Sequence, residues 1–259
     1  MNESEVLGAY DRADLYEVVY EGRGKNYERE AAVTAALIRE RNPGARSLLD
    51  VACGTGSHLR YFVGTFGEVA GVDLSERMLD RARDRVPGVP LWQGDMRKFD
   101  LDRTFDAVTC MFSSVGYLAD VGELTATLES FARHLTPGGV VVVEPWWAPE
   151  NFLPGHVQGD VVRVGELTVS RVSHSTWQRE GAASRMEVHW TAAHPKTGVS
   201  HHADVHVMSL FSRKEYLDAF ARAGFAAEFV EHDWAGPGLY VGVLGGVLGG
   251  VLGGVLGGG

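Results

Sequence analysis

The chain has 259 residues, 45% of them hydrophobic, which suits one large domain, or one domain plus an insertion, around a sizeable core. A net charge of −10 with no long basic run argues against nucleic acid or an anionic membrane as partner. No stretch of about 18 apolar residues reads as a membrane span, the N-terminus lacks the basic and apolar regions of a secretion signal, and Cys53 and Cys110 both fall in predicted strand ends, so a reduced, cytoplasmic protein is expected.

Residues 1–30 read as helix and loop, with Tyr10, Tyr16, Tyr20 and Tyr27 around a Gly22-Arg-Gly-Lys25 turn. Such aromatics can close over a cofactor or staple an N-terminal helix, and stapling suits Tyr20. Glu28 to Arg41 is a helical run stopped by Asn42-Pro-Gly44. Ser47-Leu-Leu-Asp-Val-Ala-Cys-Gly-Thr-Gly56 then reads as a strand ending in a glycine turn, with a helix from Ser57 to Phe66. Gly54 and Gly56 leave no Cβ in a ligand's way, and a helix start adds N–H groups and partial positive charge. A dinucleotide turn wants a third glycine, but Leu59 occupies that slot.

Three more apolar strands follow, each delivering a ligand-like residue at its end. Glu68 to Asp73 closes on a carboxylate placed to grip a ribose diol. Val89 to Asp95 ends in Gly94-Asp95-Met96, where Asp95 can accept an adenine amine and Met96 can pack on the ring. Phe105 to Met111 runs into Ser113 and Ser114. Helices are expected over 75–86 and 121–135, and Pro137-Gly-Gly139 turns into the strand Val140–Glu144. This alternation predicts a parallel sheet covered on both faces. The ordered series of strand ends resembles a Rossmann-like S-adenosylmethionine-dependent methyltransferase.

After Glu144 the rhythm changes. Period-two stretches at Leu167–Ser175, Ser184–Thr191 and His202–Leu210 predict an antiparallel appendage that supplies the acceptor pocket. A helix over Ser212–Ala223 and strands over Phe225–His232 and Leu239–Gly242 close the core. The division expected is a core of residues 1–145 and 211–242, an insertion of 146–210, and a disordered tail of 243–259 built from Val-Leu-Gly-Gly repeats. His201, His202 and His206 raise the question of zinc, but no cysteine or carboxylate cluster supports them. A solvated strand face, and no metal, is the expectation.

Methyl transfer needs an uncharged lone pair held in line with the methyl group. An amine acceptor must first lose a proton, which a tyrosine, a histidine or water can take; Tyr117 and Tyr10 are the candidate tyrosines, each equally able to wall the pocket.

Six strings carry a finer resemblance: Gly22-Arg-Gly-Lys-Asn-Tyr27, Leu48-Leu-Asp-Val-Ala-Cys-Gly-Thr-Gly56, Gly94-Asp-Met-Arg97, Thr109-Cys-Met-Phe-Ser-Ser114, Val143-Glu-Pro-Trp-Trp147 and Ser170-Arg-Val-Ser-His-Ser175. From about Tyr10 to Gly242 the chain resembles the nucleotide-amino-sugar N,N-dimethyltransferases of macrolide biosynthesis, such as those making desosamine and mycaminose. The resemblance implies a seven-stranded, mostly parallel class I sheet, S-adenosylmethionine as cofactor, a dTDP-linked deoxyamino sugar as substrate, and a homodimer. It implies cofactor contacts from Tyr16, Tyr27, Ala52, Asp73, Asp95, Met96 and Met111. Tyr10, Trp146, Trp147, Arg171 and Ser175 would face the nucleotide sugar, Arg171 being apt for a diphosphate. Two positions depart from the pattern: Tyr117 stands where those enzymes carry histidine, and Pro237 where they carry arginine. The rival readings are an N- or O-methyltransferase for another small metabolite and a non-catalytic cofactor-binding protein.

Overall fold

The computed structural model describes residues 19–232 and 236–246. The N-terminal half alternates helix and strand: α1 (Tyr27–Arg41), β1 (Ser47–Val51), α2 (Leu59–Phe62), β2 (Glu68–Asp73), α3 (Glu76–Arg85), β3 (Leu91–Gln93), β4 (Phe105–Cys110), α4 (Val121–Arg133) and β5 (Leu135–Val143). Four antiparallel strands follow, β6 (Val157–Val164), β7 (Leu167–Gln178), β8 (Ala183–His194) and β9 (Gly198–Ser209). Then come α5 (Arg213–Arg222), β10 (Phe225–Val230) and β11 (Leu239–Leu244).

Helix starts coincide with side chains able to accept the first free N–H groups. Asn26 accepts from Arg29 N ahead of α1, Ser75 from Met78 N ahead of α3, and Asp120 from Glu123 N ahead of α4. Ser212 and Glu215 form a reciprocal capping box at α5.

The main sheet has the order β10-β11-β5-β4-β1-β2-β3, with β11 antiparallel to both its neighbours and the pairs from β5 to β3 parallel. Leu48, Leu49 and Val51 of β1 are fully buried, as a central strand covered on both faces requires. One apolar cluster joins one face to α4 and α5, the other joins the opposite face to α1, α2 and α3. At Gly71 in β2 an added Cβ would come within 2.8–2.9 Å of Leu91, Cys53 and Leu59 side chains, so any larger residue must displace them. The chain leaves β1 towards β2 on one side and returns to β4 on the other. Open α/β sheets bind ligands in the crevice made by such a reversal, beyond the carboxyl ends of the strands.

The second sheet has the order β6-β7-β8-β9. Its inner face carries Arg171, Ser173 and Ser175 from β7, Met186, Val188 and Trp190 from β8, and His206 and Met208 from β9. Trp146 Nε1 donates to Ser184 Oγ at 2.9 Å, and Arg179 donates to Ala119 O at 3.0 Å, fastening this sheet to loops at the carboxyl edge of the first.

Four local expectations change. The helix after the glycine turn is one turn long, so the appeal to a helix N-terminus lapses. Strand β6 was not anticipated. The fifth core strand begins at Leu135 and bends through the Pro137–Gly139 turn, with a register shift against β4. Strand β11 continues through Val243 and Leu244, which pair with Ala226 and Phe225, so the first apolar pair of the repeat belongs to the sheet.

Candidate functional site

One cavity of about 470 Å³ lies where the carboxyl edge of the main sheet meets the inner face of the second. Its wall at the main sheet is built from strand ends. Beyond β1 the backbone of Ala52 and Gly54 turns left-handed, at φ 56° and 55°. A Cβ at Gly54 would meet nothing within 4 Å, so it is the φ, together with open space on the cavity side, that favours glycine there. Asp73, at the end of β2, accepts from Gly54 N and Ser75 N, both at 2.8 Å, so one carboxylate ties the two loops together. Burial pushes its carboxyl up, against the pull of those N–H groups.

Asp50, inside β1, also lines the cavity, and burial raises its pKa to about 6 despite the opposing pull of His58 and a bond from Thr109 Oγ1 at 2.7 Å. Asp95 follows β3. Burial opposes its ionisation, but Arg97 binds both its oxygens and keeps the carboxyl below its usual range. Met96 and Met111 add apolar wall, and Tyr27 stands edge-on to His58.

The loop after β4 is shaped by buried anchors. Phe112 and Ser113 are both left-handed, at φ 58° and 61°, a conformation that costs energy away from glycine. Glu144 accepts from Phe112 N at 2.7 Å, and Ser113 Oγ donates to Pro145 O at 2.8 Å. Those contacts carry the chain into the short 3-10 turn Ser114–Tyr117, and Tyr117 enters the cavity wall. Its hydroxyl lies 2.7 Å from His206 Nδ1.

Across the cavity stands Arg171, only 3% exposed. It donates to Ser173 Oγ at 3.0 Å and lies over the Trp190 ring at 5.6 Å, while its buried Nε has no hydrogen-bond partner.

Of the residues singled out in the sequence, Tyr27, Ala52, Gly54, Asp73, Asp95, Met96, Met111, Tyr117, Trp146 and Arg171 meet at this cavity. Gly56 is not on the wall: it faces α3, where its Cβ position lies 3.4 Å from Ala82. Ser175 is buried beside Met186, off the wall, and Trp147 packs edge-on to Trp146 at the surface. Tyr10 and Tyr16 lie outside the described residues. Tyr20, expected as a staple, lines the cavity and stands edge-on to Phe112. His206, expected on a solvated face, is 6% exposed and points inward. Sequence reasoning also passed over Asp50, His58, Arg23 and Glu144. Among the described residues no group of three or more His, Cys, Asp or Glu can hold a metal ion, and no helix is long and apolar enough to cross a membrane.

The donor set fits an adenosine-bearing sulfonium. Asp50, Asp73 and Asp95 offer acceptors for a cation, a diol and an exocyclic amine, and the wall opens at Gly54 beside two methionines. Residues 48–139 match the family described as a methyltransferase domain. The chain is 57% identical, over 90% of its length and 98% of the relative's, to a dTDP-3-amino-3,4,6-trideoxy-alpha-D-glucopyranose N,N-dimethyltransferase of Streptomyces venezuelae. It is 54% identical, over 90% and 91%, to a dTDP-3-amino-3,6-dideoxy-alpha-D-glucopyranose N,N-dimethyltransferase of Streptomyces fradiae. Its structure superposes on Streptomyces venezuelae DesVI with a TM-score of 0.87 over 90% and 98% of the two chains. CalS10 with bound S-adenosylmethionine, an amino pentose methyltransferase from Micromonospora echinaspora, gives 0.83 at 47% identity over 89% and 96%.

Fold and cavity together define a class I methyltransferase, an enzyme that uses S-adenosylmethionine. Within it, the chain belongs to the dTDP-amino-sugar N,N-dimethyltransferases.

Proposed function

We propose that this enzyme methylates the amino group of a dTDP-linked deoxyamino sugar, twice on the same nitrogen, in antibiotic biosynthesis. The observation that carries the reading is Arg171. A guanidinium this deeply buried is costly without an anion; the carboxylate opposite it on β6, Asp160, is ion-paired with Arg23 instead, and among the described residues no carboxylate forms an ion pair with Arg171. A diphosphate supplies that anion, and the planar fork suits it. The names of the relatives at 57% and 54% identity support the same substrate class.

Bound S-adenosylmethionine supplies an electrophilic methyl carbon. Asp73 holds the ribose diol while its N–H partners keep the carboxylate in place, and Asp95 with Met96 meets the adenine. Gly54, Ala52, Tyr27 and Met111 shape the rest of that subsite, with Tyr16 ahead of it in sequence. Arg171 fixes the diphosphate, with Trp146 forming part of the sugar wall and Tyr10 assigned to the same subsite. Tyr117 meets the amine. Fixing both ends of the acceptor is how the protein lowers the barrier of an in-line displacement. Residues 1–145 and 211–244, the latter extended to the end of β11, serve as the cofactor-binding core, and 146–210 as the acceptor-binding insertion. We assign the protein to the cytoplasm on its two free, buried cysteines, and to a homodimer on the family resemblance alone. Pro237, standing where a diphosphate-binding arginine is expected, leaves the larger share of that contact to Arg171.

The test is incubation with isotopically methyl-labelled cofactor and a panel of dTDP-3-amino and dTDP-4-amino deoxysugars, read by mass. A dimethylated sugar nucleotide is the expected product. Cofactor binding with no labelled amine from any member of the panel would overturn the reading.

A further inference from the structure

His206 has no part in the chemistry described so far, yet it is buried in the acceptor half of the cavity. It occupies the row Ser175–Met186–His206 across β7, β8 and β9. Its Nδ1 lies 2.7 Å from Tyr117 Oη. Among the described residues, the charged and titratable groups around it are Tyr117 from the 3-10 turn, Arg171 from β7, and Asp204 along its own strand. Asp204 is engaged by Trp190 Nε1 at 3.0 Å.

We propose that His206 is a positioning residue for the methyl acceptor: by taking the Tyr117 hydroxyl hydrogen at Nδ1, it turns the Tyr117 oxygen into an acceptor aimed at the amine N–H. That contact in turn points the nitrogen lone pair at the incoming methyl carbon. The proposal rests on the amine-acceptor reading above. A neutral imidazole that accepts at one nitrogen carries its hydrogen on the other, so the phenol is left only to accept from its remaining partners. Burial and the nearby Arg171 charge hold the imidazole pKa down at about 4. At neutral pH it is therefore a poor resting place for an ammonium proton, and the pair orients rather than deprotonates.

The test is steady-state kinetics on the full chain with an amino-sugar nucleotide that the wild type methylates. In His206→Leu, kcat is expected to fall roughly tenfold, one positioned hydrogen bond, with acceptor KM and cofactor affinity within about threefold. His206→Asn, whose amide oxygen can stand near the Nδ1 position, should restore most of kcat, whereas His206→Gln, with its acceptor one methylene further out, should not. In a Tyr117→Phe background His206→Leu should cost nothing further. The Asn-against-Gln ordering keeps the test decisive if the leucine variant fails to fold. Wild-type kcat in His206→Leu, equal rates in Asn and Gln variants, or additive losses with Tyr117→Phe would overturn the proposal. A wild type that methylates no amine would instead overturn the reading beneath it, and this with it.

Discussion

Replacing Arg171 by methionine separates what the guanidinium does for binding from what it costs the free protein. In the free protein its charge is buried, its Nε is without a hydrogen-bond partner, its direct contacts are Ser173 Oγ, the Met186 sulfur and the Trp190 ring, and Asp160, opposite it on β6, pairs with Arg23. Methionine keeps the unbranched stem under Trp190 and removes the charge. Apolar replacement of buried ionic groups is often stabilising, here by about 1 kcal/mol or more. For a chain of this size that corresponds to a rise of about 2–4 °C in Tm. A diphosphate loses two charge-assisted hydrogen bonds, together about 3 kcal/mol at the low end, or about a hundredfold in affinity. Calorimetric unfolding of the free protein and titration with dTDP measure the two effects separately. Unchanged dTDP affinity, or a less stable free variant, would refute the argument.

Three further outcomes follow from the same contacts. Asp73→Ala removes the acceptor for Gly54 N and Ser75 N, and should weaken S-adenosylmethionine binding at least about tenfold in isothermal titration, with acceptor KM little changed. Gly71→Ala forces a methyl group into a space where Leu91, Cys53 and Leu59 stand within 2.8–2.9 Å. It should destabilise by about 1–3 kcal/mol in denaturant unfolding. Asp50 protonates near pH 6 in the folded protein because burial, with a smaller push from Asp73, disfavours its charge. The folded state then holds a proton that the unfolded state releases, so the stabilisation is full below about pH 4 and lost as pH rises through 6. Asp50→Asn should therefore make Tm at pH 4 minus Tm at pH 7 smaller (or more negative) than in wild type; an unchanged value would count against the assignment.

The parallel core was legible because strands buried on both faces read as unbroken apolar runs, and because their ligand-bearing residues sit just past the run. Asp73, Asp95 and Met111 are found by that rule. Asp50 is not, since a carboxylate inside β1 looks like an interruption until Thr109 is seen donating to it. Strand β6 escaped notice because its period is inverted: Val157 and Val161 are exposed, with polar or small residues between them. The one-turn α2 looked longer because Leu59, Phe62 and Phe66 repeat at helical spacing, although Phe66 is buried beyond the helix end. Gly56 carried the right motif for the wrong reason, a close approach to α3 in place of one to a ligand.

His206 shows the limit most clearly. Its parity with Met208 was available, since alternate residues of a strand share a face, and Met208 is a plausible inward residue. Which face looked inward depended on how the second sheet folds back over the loops after β4 and β5. The Tyr117–His206 contact joins residues 89 apart in sequence. Glu144 is similar, a carboxylate whose role as anchor for Phe112 N depends on the backbone of another strand's loop.

The most direct measurement is a crystal structure of the ternary complex with S-adenosylhomocysteine and a dTDP-amino sugar. The account predicts the diphosphate on Arg171 and the amine nitrogen between Tyr117 Oη and the sulfur, within the cavity between the two sheets. A nucleotide sugar bound outside that cavity, or seated in it with its diphosphate remote from Arg171, would contradict it.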